Sequence, residues 1–213
     1  MEILLTFEET RIIGSLIEKE LTTPEYYPLT VNSLKNACNQ KSNRNPVVNF
    51  DESLIEKTVE DLQVKTLAAF VGSRESRVAK YKHNFSSYYK LSLPETAVMC
   101  VLMLRGAQTP GEIRGRTGRM YEFQSLTEAE EVLNNLMLRE MPLVMKLPKL
   151  PGTKEARYVH LLSGEPDVER YAESSETNIP DNDKLNLFET EITNLRNELL
   201  SLRKEFEEFK SQF

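Results

Sequence analysis

Tryptophan is absent from this chain of 213 residues, histidine occurs only at positions 83 and 160, and cysteine only at positions 38 and 100. Neither a zinc cage nor a disulfide framework is predicted, because both need several closely spaced ligands or cysteines. No apolar run reaches the roughly 20 residues that a membrane-spanning helix needs. The opening residues, MEILLTFEET, lack the basic segment and apolar core of a secretory signal, so we expect a cytoplasmic protein.

Sequence signatures of catalysis are missing as well. The chain has no Walker-type phosphate loop, no GxGxxG and no GxSxG, and the glycines of GEIRGRTG (111–118) stand at the wrong intervals. The acidic residues Glu128, Glu130 and Glu131 are typical of a solvated first helical turn, where carboxylates interact favourably with the helix dipole. We therefore expect a non-enzymatic protein that holds neither a cofactor nor a metal.

The formal net charge of −6 arises in the C-terminal quarter of the chain. Residues 163–213 hold 13 Asp and Glu against 6 Lys and Arg, whereas residues 1–162 hold 20 against 21. A nearly neutral body neither requires nor excludes nucleic acid as a partner. The acidic stretch 163–183 contains two prolines and has no hydrophobic period, which predicts a flexible linker.

Hydrophobic periodicity and helix-start signals predict one run of elements twice. In the first run, Thr6 and Glu9 form a capping box in which each side chain binds the other residue's backbone N–H. This run comprises helices over 6–21, 30–40 and 51–65, then a strand, turn and strand over 67–83.

The same order begins again at Ser92, which pairs with Glu95 in a second capping box. The predicted helix starts of this run are Ser92, Thr109 followed by Pro110 and Glu112, and Thr127 with Glu130, and its two strands lie within 142–162. Three small helices followed by a β-hairpin are the winged-helix plan. The sequence therefore predicts a mainly α fold with small β-hairpins (α+β), with winged-helix domains over 1–90 and 91–162.

The two histidines end matching pentapeptides, AKYKH at 79–83 and ARYVH at 156–160. A catalytic or metal-binding pair would need further ligands, and neither histidine has a Cys or His neighbour at ligand spacing. Side chains alternate along a strand, so Tyr81 and His83 share one face while Lys80 and Lys82 share the other. A duplicated strand explains the match without chemistry.

Residues 184–213 carry a heptad repeat, with apolar residues at alternating spacings of three and four. The charges that flank this stripe are opposite in sign across a parallel pair of helices, which predicts a parallel homodimer. A trimer, and an amphipathic helix packed on its own body, are the alternatives. The residues predicted to mediate oligomerisation are Leu185, Phe188, Ile192, Leu195, Leu199, Leu202, Phe206 and Phe209.

Basic residues cluster on the predicted hairpins and loops, where they are candidates for phosphate contacts. Ordinary solvated charge is the alternative. The third helices begin Asp51-Glu52 and Glu128-Ala129-Glu130-Glu131, which argues against their entering a DNA groove. We therefore expect contact through the wings and loops, the first wing being the more basic, or else binding of a protein. The clusters are Lys41 and Arg44; Arg74, Arg77, Lys80 and Lys82; Arg114, Arg116 and Arg119; and Lys146, Lys149, Lys154 and Arg157.

The segments CNQKSNRNP (38–46) and QTPGEIRGRTGRM (108–120) resemble those of the YceH-like family of uncharacterised bacterial proteins. The resemblance covers essentially the whole chain and implies two winged-helix domains followed by a C-terminal coiled coil. Family members usually have Asp where this chain has Asn45, so a role that needs that carboxylate is not carried over. The site candidates that the resemblance implies are Asn39, Gln40, Lys41, Ser42, Asn43 and Arg44, then Arg114, Arg116 and Arg119.

Two functional hypotheses follow from these patterns, and an enzyme is a third alternative. The first is a DNA-associated regulatory protein in which a coiled coil joins two copies and the basic wings and polar loop contact phosphates. The second is an adaptor whose winged helices dock a protein partner.

Overall fold

The computed structural model of the protein describes residues 3–72, 79–149 and 155–166. Residues 1–166 form one compact unit. The predicted coiled coil and nearly all of the predicted linker lie outside the described residues, and so do Arg74 and Arg77. The division into domains at 1–90 and 91–162 stays a prediction. Within the described ranges, no helix is long and apolar enough to cross a membrane.

The described residues of the first half form four α-helices and a three-stranded antiparallel sheet. The sheet order is β1-β3-β2, and Leu29 pairs with Tyr81 while Phe70 pairs with Tyr81 from the other side. The predicted helices and strands are present, and the short helix α4 was not predicted. The elements are α1 (Phe7–Thr22), β1 (Leu29–Thr30), α2 (Val31–Cys38), α3 (Glu52–Val64), β2 (Ala68–Val71), β3 (Lys80–His83) and α4 (Phe85–Tyr89), with a 3₁₀ turn at Pro24–Tyr26.

The second half repeats this order with a smaller sheet. Two antiparallel strands pair Val144 with His160, and a single bridge from Gln108 to Tyr158 stands where the first half has β1. The described part is thus mixed α and β, about half helical, with small antiparallel strand pairs. The elements are α5 (Leu93–Arg105), α6 (Pro110–Thr117), α7 (Leu126–Met137), β4 (Val144–Lys146) and β5 (Tyr158–His160).

Side-chain caps fix most of the helix starts at the predicted residues. The Glu9 carboxylate accepts the Thr6 N–H at 2.7 Å, and the Thr6 hydroxyl accepts the Glu9 N–H at 3.2 Å. Capping boxes also begin α5 at Ser92 and α6 at Thr109. Each box satisfies backbone donors that the first turn of a helix leaves without a partner.

The predicted start of α7 at Thr127 is wrong. The N-cap is Ser125, whose hydroxyl accepts the Glu128 N–H at 3.1 Å. Both Ser125–Glu128 and Thr127–Glu130 fit the capping pattern, but the Glu128 carboxylate is held by the hydroxyl of Tyr121 and the N–H of Gln124. Because of these bonds, α7 begins two residues earlier than predicted.

One continuous hydrophobic core joins the two halves. Helix α5 is buried on almost every side from Thr96 to Leu104, as expected for a helix that is apolar all round. Helix α1 lies against it, and a Cβ added at Gly14 would lie 2.9 Å from Leu104 Cδ2 and 3.2 Å from Met103 Cβ. The backbones of α1 and α5 therefore approach closely at Gly14.

Both cysteines are buried free thiols within this core. Burial raises the pKa of Cys38 to about 11 and raises the pKa of Cys100 still further. The Cys100 thiol donates to the carbonyl of Gly14 at 3.3 Å. Both side chains thus behave as small core residues, since a buried thiol with a raised pKa is a poor nucleophile.

Candidate functional site

The polar loop between α2 and α3 is tied down by buried arginines. The side chain of Arg44 is 0% exposed and binds Glu18 of α1 through Nη1–Oε1 at 3.0 Å and Nη2–Oε2 at 2.6 Å. Its Nε and Nη2 also donate to the carbonyl of Ala37 at 3.1 and 2.8 Å. Of the residues predicted as contacts, Arg44 therefore positions the loop and does not face solvent.

Three further residues hold the ends of this loop. Arg11 is fully buried and donates to the carbonyls of Cys38 at 3.3 Å and Pro46 at 2.7 Å. Asn39 bridges the loop, since its side-chain amide exchanges two 2.8 Å hydrogen bonds with the backbone of Phe50. The Asn45 N–H donates to the carbonyl of Leu104 on α5 at 2.9 Å. Asn39 thus has a structural role, and the loop is attached to α1 through Arg11 and to α5 through Asn45.

The middle of the loop faces a cleft that also receives the second family-like segment. The cleft encloses a cavity of about 170 Å³. Two segments more than sixty residues apart in sequence, both singled out from the sequence, thus meet at one place. The residues that line it are Gln40, Ser42 and Asn43 of the loop; Arg116, Arg119 and Met120; Glu18, Lys19, Thr22 and Thr23 at the end of α1; and Cys100, Val101, Leu104 and Arg105 of α5.

Sequence reasoning missed Arg105, which lies in this cleft. Its Nη2 donates to the side-chain oxygen of Asn43, whose backbone is left-handed with φ of 60°. Burial, and after it the charges of Arg116 and Arg44, lower the pKa of Arg105. The only signal in the sequence was the position of Arg105 just before the 108–120 segment, at the end of a predicted helix.

The positive charge of the cleft is only partly balanced. Arg116 approaches Glu112 at 3.5 Å, but the same carboxylate binds Arg157 at 2.6 Å. Arg119 is exposed and makes no hydrogen bond or ion pair within the described part of the chain. The carboxylate of Glu18 is occupied by Arg44. Burial alone would raise the pKa of Glu18, but the hydrogen bonds and charge of Arg44, together with Lys19, lower it.

Two predicted contact residues lie outside the cleft. Arg114 is exposed, and its guanidinium donates to the carbonyls of Phe123 and Gln124, each at 3.4 Å, across the turn between α6 and α7. Lys41 is exposed at the tip of the polar loop and does not line the cavity. The predicted cluster of Arg114, Arg116 and Arg119 is therefore divided between a turn and the cleft.

Both hairpins have exposed lysines, and Lys146 and Lys149 are exposed in the second one. Lys80 and Lys82 are both exposed on β3, as the alternation predicted, while Tyr81 is half-buried and His83 is buried. In the second hairpin, Arg157 is engaged by Glu112 and by the carbonyl of Ala107 at 2.9 Å.

The two histidines occupy matching strands but have different surroundings. His83 Nε2 lies 2.6 Å from a carboxylate oxygen of Glu20, and the His83 N–H donates to the hydroxyl of Tyr27 at 2.8 Å. His160 has an enclosed Nδ1 without a hydrogen-bond partner, and burial lowers its pKa to about 4. Over residues 3–72, 79–149 and 155–166, no group of three His, Cys, Asp or Glu side chains is arranged to hold a metal.

The third helices present acidic and apolar residues to solvent. On α3, Glu52, Glu56 and Glu60 are exposed, and so is Val64, at 85%. The matching position after α7, Leu138, is 83% exposed. These faces differ in charge from the arginine-lined cleft and from the lysines of β3.

Comparison with known proteins shows that the chain is similar to bacterial proteins of one family of unknown function. Residues 5–153 match a family model described as "Protein of unknown function, DUF480". Proteins named UPF0502 from Pelobacter propionicus and Geobacter sulfurreducens are 46% and 47% identical, each over 100% of both chains. A UPF0502 protein from Vibrio atlanticus is 45% identical over 95% of this chain and 97% of its own length.

Proposed function

This chain belongs to the DUF480 family of bacterial proteins of unknown function, and from that premise we propose that it is a non-enzymatic, DNA-associated regulatory protein in the cytoplasm. Each half would be a winged helix. The likeness to the YceH-like family is our inference from the segments 38–46 and 108–120. The repeated order of three helices and two strands supports this reading.

The observation that carries the proposal is the exposed basic face of β3. Lys80 and Lys82 lie on the same face of β3. Their cross-strand neighbours on β2 are Val71 and Ala69, respectively. Ion pairs are absent from both lysines within the described residues. Exposed lysines without ion pairs can contact phosphates, and they do so without reading base sequence. The exposed glutamates of α3 disfavour the alternative of inserting that helix into the major groove.

A salt titration tests this contact. Fluorescence anisotropy with a labelled DNA duplex would compare the wild type with Lys80→Gln/Lys82→Gln. If both lysines contact phosphates, the variant binds more weakly, and the slope of log affinity against log salt falls by up to about 1.8, at roughly 0.9 per phosphate contact. The matched control is Lys57→Gln/Lys90→Gln, which removes the same charge at exposed positions outside β3. Equal losses for both pairs, or no DNA binding at low salt, would overturn the wing contact.

The proposal includes a parallel dimer formed through the heptad repeat of 184–213. Light scattering on the full chain and on a chain ending at residue 183 would compare their masses. We expect a dimer for the first and a monomer for the second. An unchanged mass after removal of these residues would contradict a role for the heptads in assembly.

The second candidate is a protein adaptor, which the exposed face of α3 favours. Glutamates together with an 85% exposed Val64 suit a partner with basic and apolar groups. The variant Glu56→Lys/Glu60→Lys separates the two candidates. A DNA-binding protein loses repulsion and gains affinity for DNA, whereas an adaptor loses its partner and gains no affinity for DNA.

A further inference from the structure

The cleft between the polar loop, α1, α5 and α6 has more positive charge than its own carboxylates can balance. Four cationic side chains and one carboxylate are among the described residues that line it: Lys19, Arg105, Arg116 and Arg119, with Glu18. Arg44 binds both oxygens of Glu18, and Lys19 pairs with one of them at 3.1 Å, so among the described residues no carboxylate that lines the cleft is left for Arg105, Arg116 or Arg119. Like charges gathered in a partly buried site repel one another, so an anion in the cleft would relieve that repulsion.

The polar loop on one side of the cleft is held in place before any ligand arrives. Arg44, Arg11 and Asn39 fix the two ends of the loop, and Arg105 holds Asn43 at its middle. A rigid site loses less conformational entropy when it binds a ligand. Guanidinium groups also present paired N–H donors that match the oxygens of a phosphate. Gln40 and Ser42 of the polar loop add an amide and a hydroxyl to the lining.

Size sets the class of ligand. The cavity of about 170 Å³ is smaller than the 300–1,000 Å³ typical of sites that enclose drug-sized molecules. A recessed cavity of this size suits one charged group better than the backbone of a duplex, which lies across a surface.

We propose that this cleft binds the phosphate monoester group of a small molecule, or free phosphate, through Arg105, Arg116 and Arg119 with Gln40, Ser42 and Asn43. The site is separate from the lysines of β3 and does not depend on DNA binding. Because its walls come from α1 and the loop of the first half and from α5 and α6 of the second, a bound anion would stabilise the packing of the halves.

The test uses the full-length protein with inorganic phosphate, then with adenosine 5′-monophosphate and with adenosine. Phosphorus NMR line broadening and thermal unfolding would measure binding, with chloride at equal ionic strength as the reference anion. We expect saturable binding of phosphate and a rise in melting temperature, since a ligand that binds only the folded state stabilises it. Tighter binding of the nucleotide than of phosphate would identify a phosphorylated metabolite as the source, and equal binding would identify free phosphate. Adenosine should not bind.

Arg119→Gln is the main variant, because this exposed arginine has no contact within the described residues whose loss would unfold the protein. We expect an affinity for phosphate at least about tenfold lower, as for the loss of one charge-assisted hydrogen bond. Arg116→Gln should have a similar effect. Lys41→Gln, in the same loop but outside the cavity, is the matched control and should stay within about twofold.

Three results would overturn the proposal. The first is the absence of saturable phosphate binding, and the second is an equal loss of phosphate affinity in Arg119→Gln and Lys41→Gln. The third is that duplex DNA displaces the phosphate and that only the cleft variants weaken this displacement. The DNA titration with Lys80 and Lys82 uses other variants and another probe. Failure of one proposal therefore leaves the other to be decided by its own experiment.

Discussion

Arg44 and Glu18 form a two-point ion pair inside the protein, with Nη1–Oε1 and Nη2–Oε2 distances of 3.0 and 2.6 Å. The arginine side chain is 0% exposed and the glutamate side chain 12%. The pair joins the polar loop to α1, and the N–H of the next residue, Asn45, joins the loop to α5. The position of the loop therefore depends on a contact between residues 26 apart in sequence.

Arg44→Met should lower the free energy of unfolding by about 3–5 kcal/mol, because it leaves the Glu18 carboxylate without its main partner. Urea denaturation would measure the loss. Glu18→Gln combined with Arg44→Met should restore part of it, since the unpaired charge is then gone. Lys41→Met, at an exposed position of the same loop, should change stability by less than about 0.5 kcal/mol. A loss in the double variant equal to the sum of the single losses would contradict the pairing.

The start of α7 can be tested with two neighbouring hydroxyl residues. Ser125→Ala removes the acceptor for the Glu128 N–H and should cost about 1 kcal/mol of stability. Thr127→Ala removes an exposed hydroxyl that caps nothing and should be neutral or slightly stabilising, as alanine favours helix. Thermal or urea unfolding of the two variants gives the comparison. If Thr127→Ala were the less stable of the two variants, Thr127 rather than Ser125 would be the N-cap of α7.

Two helical glycines should respond to alanine with opposite signs. At Gly14 the added Cβ would lie 2.9 Å from Leu104 Cδ2, so overpacking offsets the gain in helix propensity, and we expect a net loss of about 1 kcal/mol. Gly115 lies in α6 with nothing within 4 Å of an added Cβ. Gly115→Ala should therefore stabilise the protein by up to about 1 kcal/mol. Equal effects measured by urea denaturation would mean that α1 and α5 do not approach closely at Gly14.

His160 should make stability depend on pH. Its folded-state pKa of about 4 lies below the ordinary value of 6.5 because of burial. Between these values the unfolded chain binds a proton that the folded chain does not, so stability falls as the pH falls from 6.5 towards 4. At about 1.4 kcal/mol per pKa unit, and allowing for the partial exposure of the residue as a whole, the loss is about 1–3 kcal/mol.

His160→Gln removes this titration. Urea denaturation across the same pH range should show a flatter dependence for the variant than for the wild type. His83→Gln is a useful comparison, because His83 Nε2 lies beside the Glu20 carboxylate, whereas Nδ1 of His160 has no hydrogen-bond partner among the described residues. Parallel pH profiles for the wild type and His160→Gln would show that the ring is protonated equally in the folded and unfolded chains.

Local signals predicted the elements well because the information for them is local. Thr6 with Glu9 and Thr109 with Glu112 lie three residues apart, and the structure confirms both boxes. The start of α7 was wrong because two overlapping patterns compete there, and the bonds from Tyr121 and Gln124 to Glu128 decide between them. The five residues of α4 were too few for a hydrophobic period to appear.

The candidate site could be predicted only in part, since it depends on how α1 packs against α5. The sequence marked Ser42 and Arg116 in separate segments, but nothing local indicated that they line one cavity. It also treated Arg44 as a free cation, because the burial of an arginine depends on distant partners such as Glu18. The structural role of Arg11 was not predicted for the same reason.

The Leu5 N–H donates to the carbonyl of Leu162 at 2.7 Å, so the described unit begins and ends at the same place. A short peptide between these residues could close the chain into a ring, and new ends could be opened in an exposed loop elsewhere. Opening the ring near Ser92, between the two runs of elements, would exchange the order of the halves while keeping their shared core. Such a circular permutant would show whether synthesis of α1 before α5 matters for folding, or whether only their contact does.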